Sequence, residues 1–474
     1  MPRYIGLFAL LLGLSCKKQL DVFPTTQEVD GNVIVDAKSA FSVLNGVYYR
    51  FADGGTDNNS VPSVLWVDPK EGYGSELSGL FTYPYGGSDL ASYTYKAPSY
   101  EPQSMWSYGY KLVNAANGFL ENVAPVASIP DSTKNEMVAE AKFLRAYANT
   151  YLLLNFGQYT DTTSGYGIIL RSAFVTPTNI DLPRTNVGVV YDSILADLNS
   201  AIPNLPSVNT SAAYTNVWAA KLLEARLLIN RGTASDLSQV VSLCGSIIQN
   251  GPFTLEPNVE DIFRTKGLSS NEVILGVQPF TSPMQTYKFQ EYLYYNQYTL
   301  TDSAVSLFNN DPRRPWMYYM GNFTGYGFGY QGVITKYYPG DTTNPTPASI
   351  TENSYAFRLT EAYLLEAEAL AAQGGDLSQA KSLLITVLGH AGFTDFSAVN
   401  AVTSAEALRE MVIWEEVKNF MGEDEQDWLA IRRLPFPVLQ AWAPGIISQD
   451  LLIMPIPLTE TNGNGNIQQN PGYN

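Results

Sequence analysis

The sequence predicts a mainly α fold, an array of stacked helix pairs with an irregular, loop-rich lobe inserted in it. Three observations predict it. First, 357–392, FRLTEAYLLEAEALAAQGGDLSQAKSLLITVLGHAG, reads as two helices around a tight turn at Gly374-Gly375-Asp376. Leu359, Tyr363, Ala367 and Leu370 share one face of the first helix. Leu377, Ala380, Leu384 and Val387 share one face of the second, at spacings of three and four. Second, 218–248, WAAKLLEARLLINRGTASDLSQVVSLCGSII, repeats the design with its turn at Arg231-Gly232. Third, two long stretches, 52–104 and 250–350, break the helical period and are rich in Gly, Pro, Asn and aromatic rings.

Small residues at Ala367 and Ala380 let two helices approach closely where they cross. The order of small, large and aromatic positions resembles a tetratricopeptide repeat unit with a slightly longer turn. One such unit cannot bury its own apolar face, so others must stack on it.

The remaining elements follow in order. Residues 1–16, MPRYIGLFALLLGLSC, read as an export signal: Arg3 precedes an apolar run, Ile5 to Leu14, too short to span a bilayer. The run closes on Ser15-Cys16, the arrangement of a bacterial lipoprotein signal with Cys16 lipidated, although Gly13 stands where Leu is usual. A polar, Pro-broken tether fills 17–26. A first helix is expected over 36–51, capped by Asp36, with Ala40, Phe41, Leu44, Val47 and Tyr48 on one face. The excursion 52–104 follows, with a short strand at 93–95. Helices then read over 105–122, 132–156, 187–201, 215–230 and 237–249. The second excursion holds the strand-like EVILGVQPF and the runs EYLYYNQYTL, DPRRP and GYGFGYQG. After the 357–392 pair comes a helix at 404–421, and 434–474 reads as an extended tail. The signal would occupy 1–15, and 16–474 one domain: repeats at 36–51, 105–249 and 356–433, and the irregular lobe at 52–104 and 250–350.

Composition narrows the function. The chain of 474 residues has a net charge of −17 and no basic cluster, which argues against nucleic acid. Only 15% of residues are charged, whereas Tyr numbers 31 and Trp 7, a balance that suits uncharged polar ligands. With two cysteines, one of them Cys16, a disulfide framework is excluded and Cys244 reads as a small buried hydrophobe.

Several phrases in sequence order resemble the SusD/RagB family of surface nutrient-binding lipoproteins. They are WSYGYKLVNAANGFLENV (106–123), AEAKFLRAYANTYLLLNFGQY (139–159), PRTNVGVVYDSILADLNSAIPNLP (183–206), SLCGSIIQNGPFTLEP (242–257), DPRRP (311–315), RLTEAYLLEAEALAAQGGD (358–376) and IPLTETNGNGNIQQNPGYN (456–474). The chain departs from the family at Val417, Asp427 and Ala430, where Arg, Arg and Asp are usual, and this puts an ion-pair network there in doubt. The resemblance implies about four tetratricopeptide-like units and an irregular ligand lobe. It also implies a lipid anchor in the outer membrane, an oligosaccharide or, as in RagB-like members, an oligopeptide ligand, and a SusC-like TonB-dependent transporter as partner. No cofactor, metal or catalysis is implied.

Sugar rings present flat C–H faces on which Trp and Tyr stack. The candidates in the two excursions are Trp66, Tyr73, Tyr83, Tyr85, Tyr295, Tyr298 and Trp316, with Tyr326 and Tyr330 behind them. Each could instead be lobe core. Asp57, Asn58 and Asn59 could bond hydroxyls or cap turns, and a calcium site around Asp53, Asp57 and Asn59 lacks loop spacing. His390, the only histidine, has no visible partner, which removes His-based triads and multi-His metal sites. Glu415, Glu416, Glu423, Asp424, Glu425 and Asp427 form the densest acidic cluster, expected as a solvated face. A glycoside hydrolase would need an acid/base pair in the lobe, and no spacing marks one. A scaffold would not need the Tyr-rich excursions.

Overall fold

Several of the long helices start where a side chain satisfies a free amide. In the computed structural model, which describes residues 33–53, 66–209, 211–277 and 287–473, α1 spans Ala37–Ala52 and Asp36 caps it by accepting from the Ser39 amide. Next come α2 (Tyr100–Val123), α3 (Asp131–Phe156) and α4 (Val187–Ala201). Helix α5 (Val217–Arg231) is capped by Asn216 and ends at Gly232, whose φ of 71° favours glycine. Thr233 and Asp236 form a capping box for α6 (Ala234–Asn250). The last three long helices are α7 (Leu359–Gln373), α8 (Ser378–His390) and α9 (Ala405–Asn419). The start of α2 lies ahead of the expected position because Pro102 falls in its first turn, where no amide is needed.

The helices pack in a chain: α1 on α2, α2 on α3, α3 on α4, α5 on α6, α6 on α7, and α7 on both α8 and α9. This is the stacking that the helix pairs require. Ala367 and Ala380 are both fully buried, in the cluster that joins α7, α8 and α9.

The excursions build two small antiparallel sheets. One has the order β1-β3-β5-β4, from β1 (Phe81–Thr82), β3 (Thr299–Leu300), β5 (Tyr330–Ile334) and β4 (Tyr318–Asn322). The other pairs β2 (Val273–Val277) with β6 (Ser354–Arg358), which runs straight into α7. Residues 93–95 form no strand: Tyr93 has φ 56° and its hydroxyl donates to the Leu77 carbonyl. The tail beyond 434 is not uniformly extended. Short helices at Phe436–Trp442 and Leu458–Gly463 interrupt it, and it runs along the array, with the Met454 amide on the Asn155 carbonyl at 2.6 Å.

The acidic cluster is a correction to the expected solvated face. All six carboxylates are buried, and distant residues supply their partners. Arg313 holds Glu415 at 2.7 Å, Arg433 holds Glu416, and Lys336 and Arg358 hold Glu423. Lys70 and Arg226 hold Asp424 at 2.9 and 2.6 Å, and Lys70 also reaches Glu425 at 3.4 Å. Asp427, in place of the family's usual Arg, accepts from the Ser75 hydroxyl and is pushed up to about 7 by burial. An ion-pair network therefore exists in this segment despite the departures. Asp424 and Glu425 have φ of 45° and 53°, a left-handed turn that costs about 1–3 kcal/mol and is held by these bonds.

Candidate functional site

The aromatic candidates divide by burial. Trp66 is fully buried: its indole donates to the Phe51 carbonyl at 2.7 Å and its ring stacks on Tyr147. Trp316 is buried and stacked on Phe263. Tyr73 is buried, and buried Tyr298 donates to Asp68 at 2.8 Å. These four are core, which corrects their assignment as ligand-stacking residues. Large rings in a lobe with few helices are what its interior is made of. Asp57, Asn58, Asn59 and Cys16 lie outside the described residues.

Tyr83 and Tyr85 meet the rings of the β4–β5 hairpin beside the four-stranded sheet, and Tyr295 lies in the turn before β3. Tyr83 and Tyr85 leave β1 on a turn closed by the Gly87 amide on the Tyr83 carbonyl. The β4–β5 hairpin arrives opposite, its tip shaped by Gly327 and Gly329 at φ 87° and 72°. Tyr85 stands between them. Its ring meets Tyr83, Phe323, Tyr326 and Phe328 edge-on, with centroids 5.4, 6.2, 5.9 and 5.8 Å away. The Asn296 side chain, in the turn before β3, hydrogen-bonds the Tyr85 hydroxyl. Tyr294 and Tyr295 form a further edge-to-face pair in that turn.

The outer rings face solvent. Tyr326 is 70% exposed, Tyr330 62%, Tyr294 67% and Tyr295 48%. Tyr294, Phe328 and Met320 were not among the candidates, although the runs YLYYNQY and GYGFGYQG hold two of them. The alternating glycines of the second run were the signal: they give the rings no neighbouring side chains to pack on.

Below this surface, Asp68, Glu76 and Glu291 have no basic partner among the described residues. Asp68 accepts from the Tyr298 and Tyr287 hydroxyls. Burial pushes Glu76 up to about 8 against the Ser88 hydroxyl, helped by Glu101 and Asp68. Burial and Asp68 push Glu291 up to about 8. A carboxyl raised in the fold stabilises fully below its unfolded value, about 4.3, and that stability is lost as pH rises through the folded value. The melting temperature is therefore expected to fall from pH 6 to pH 9, and to fall less in Glu76→Gln, which mimics the neutral acid. An identical slope in the two proteins would refute this account of Glu76.

His390 is half-buried, with Nδ1 against the Glu256 carbonyl at 2.5 Å, at the end of α8 and away from the rings. The ring surface offers stacking faces and tyrosine hydroxyls, the chemistry of a binding surface.

The mainly helical array with its aromatic lobe can be set beside known proteins. A family model described as SusD-like, "Starch-binding associating with outer membrane", matches residues 77–228. A SusD-like protein of Bacteroides ovatus is 24% identical over 326 residues, 59% of this chain and 57% of that relative. The match thus spans little more than half of the relative's length. A SusD superfamily protein of Bacteroides thetaiotaomicron aligns with a TM-score of 0.74 at 22% identity, covering 92% of this chain and all of that one. A laminarin-binding SusD-like protein aligns at 0.71 and 20% identity, over 92% and 99% of the two chains. The chain thus resembles SusD-like proteins in sequence over part of its length and shares their fold over nearly all of it.

Proposed function

We propose that this chain is a non-catalytic, lipid-anchored protein of the outer-membrane surface that binds an oligosaccharide on the rings around Tyr85 and passes it to a TonB-dependent transporter. The observation that carries the ligand reading is the convergence of three chain segments into one exposed, uncharged aromatic surface. Its resemblance to a fold that includes a laminarin-binding member supports it.

Calorimetry against laminari-oligosaccharides and other glycan fragments tests it. Tyr326→Ala is expected to weaken the bound member by about 1–2 kcal/mol, roughly five- to thirtyfold, through lost area and stacking. Its melting temperature should change little, since the ring is mostly exposed and its edge-on contact with Tyr85 is small. Undiminished affinity in both Tyr326→Ala and Tyr330→Ala would move the site elsewhere. The anchor and the partner are tested together on protein drawn from detergent-solubilised outer membrane. It should carry labelled palmitate that Cys16→Ala abolishes, and bring a TonB-dependent barrel with it. Labelling that persists in Cys16→Ala, or isolation without a barrel, would count against these two parts.

A further inference from the structure

The ring surface is charge-free over every segment that builds it. No Asp, Glu, Lys or Arg occurs in 77–88, 292–301 or 315–335, although 15% of the whole chain is charged. These three stretches carry β1, β3, β4, β5 and all the converging rings. From this we infer that the ligand is an uncharged oligosaccharide, and that the surface discriminates against uronate-bearing or sulfated glycans and against charged peptides. The inference rests on the oligosaccharide reading above.

The flanking charges support it. Lys336 is buried and committed to Glu423 and to the Asn419 and Met421 carbonyls, the latter two at 3.0 and 2.8 Å. Arg314 donates to the Tyr318 hydroxyl at 3.0 Å. Glu76 and Glu291, which flank two of the segments, are pushed up to about 8 by burial. Asp89 accepts from the Thr94 hydroxyl, and Asp302 opens the helical turn after β3. The three segments themselves supply no guanidinium or ammonium to meet a carboxylate or sulfate.

Desolvating an anion without a cationic partner is unfavourable. Aromatic faces are electron-rich and repel anions while accepting C–H bonds. The net charge of −17 adds a long-range field that disfavours polyanions. Neutral sugars meet none of these penalties, and the Tyr hydroxyls can still exchange hydrogen bonds with theirs.

The test is a calorimetric panel on the whole mature protein: laminari-, malto- and xyloglucan oligosaccharides, an oligogalacturonate, a sulfated oligosaccharide and a short basic and a short acidic peptide. At least one neutral glycan is expected to bind, at least about tenfold tighter than every charged probe. Its affinity should change less than about twofold between about 20 mM and about 500 mM salt, because no ion pair is screened. Asn296→Gly keeps the left-handed turn at φ 50° but removes the bond to Tyr85, and should weaken that glycan severalfold. A charged probe that binds tightest and is lost in Tyr326→Ala would overturn the inference while leaving the oligosaccharide or ligand site in place. Binding of no probe to the folded protein would sink both readings.

Discussion

Trp66→Ala is expected to lower the melting temperature by several degrees and to cost about 3–5 kcal/mol, the range for removing a large buried ring. The indole fills the space between Phe51 and Tyr147, with centroids 5.2 and 6.5 Å away, and lies 5.9 Å from the Lys70 ammonium. Alanine would leave a cavity there. It would also orphan the Phe51 carbonyl on one side, although Tyr108 still donates to it at 3.0 Å. Trp66→Phe keeps most of the packing and should cost less. Thermal melts followed by circular dichroism compare the two. The remaining folded protein should bind any glycan that calorimetry identifies as tightly as the unsubstituted chain does. An unchanged melting temperature in Trp66→Ala would show that the ring is not part of the core.

The second large effect concerns charge. Arg358 is fully buried and donates to Glu423 at 2.7 Å and to Glu272 at 2.8 Å. Arg358→Met removes the cation and leaves both carboxylates in the interior, a loss of about 3–5 kcal/mol. Lys336 would still hold Glu423, but Glu272 would retain only hydroxyl and amide donors. Adding Glu272→Gln to that variant should recover part of the loss, since the charge that Arg358 alone compensated goes with it. Urea titrations of the single and double variants measure both. Equal losses in the two would mean that Glu272 carries no unpaired charge. The Arg358 and Lys336 cations hold the Glu423 carboxyl below the usual range against burial. Its contribution is therefore present above the unfolded value and lost as pH falls through the folded one. That runs opposite to Glu76, so stability should decline on both sides of a mildly acidic optimum.

Much of the helical array was legible in the sequence, and for local reasons. A period of three and four residues, a cap such as Asp36 or Thr233, and a glycine such as Gly232 all act within one or two turns. They need no partner from elsewhere, so α1 and α3 to α6 fall within a few residues of their expected spans. The tail helices were missed because they are short and Pro-initiated, and docking against the array contributes to holding them.

The site was only half legible. Tyr83, Tyr85, Tyr295, Tyr326 and Tyr330 read as ring candidates that could face a ligand or the core; the structure leaves Tyr83 and Tyr85 half-buried and the other three exposed. Trp66 and Trp316 read the same way from sequence, because an aromatic in an irregular stretch has no period to show which way it faces. Composition and local pattern thus determined the helices, the aromatic wealth and the charge-free segments. Only the tertiary structure decided which rings are core, and that the acidic run 423–427 is interior. Burial depends on partners far along the chain: Tyr147 for Trp66, Phe263 for Trp316, and Lys70, Arg226, Lys336 and Arg358 for the carboxylates. A buried charge is tolerable only where an opposite charge meets it in space, and no local window of sequence contains that meeting.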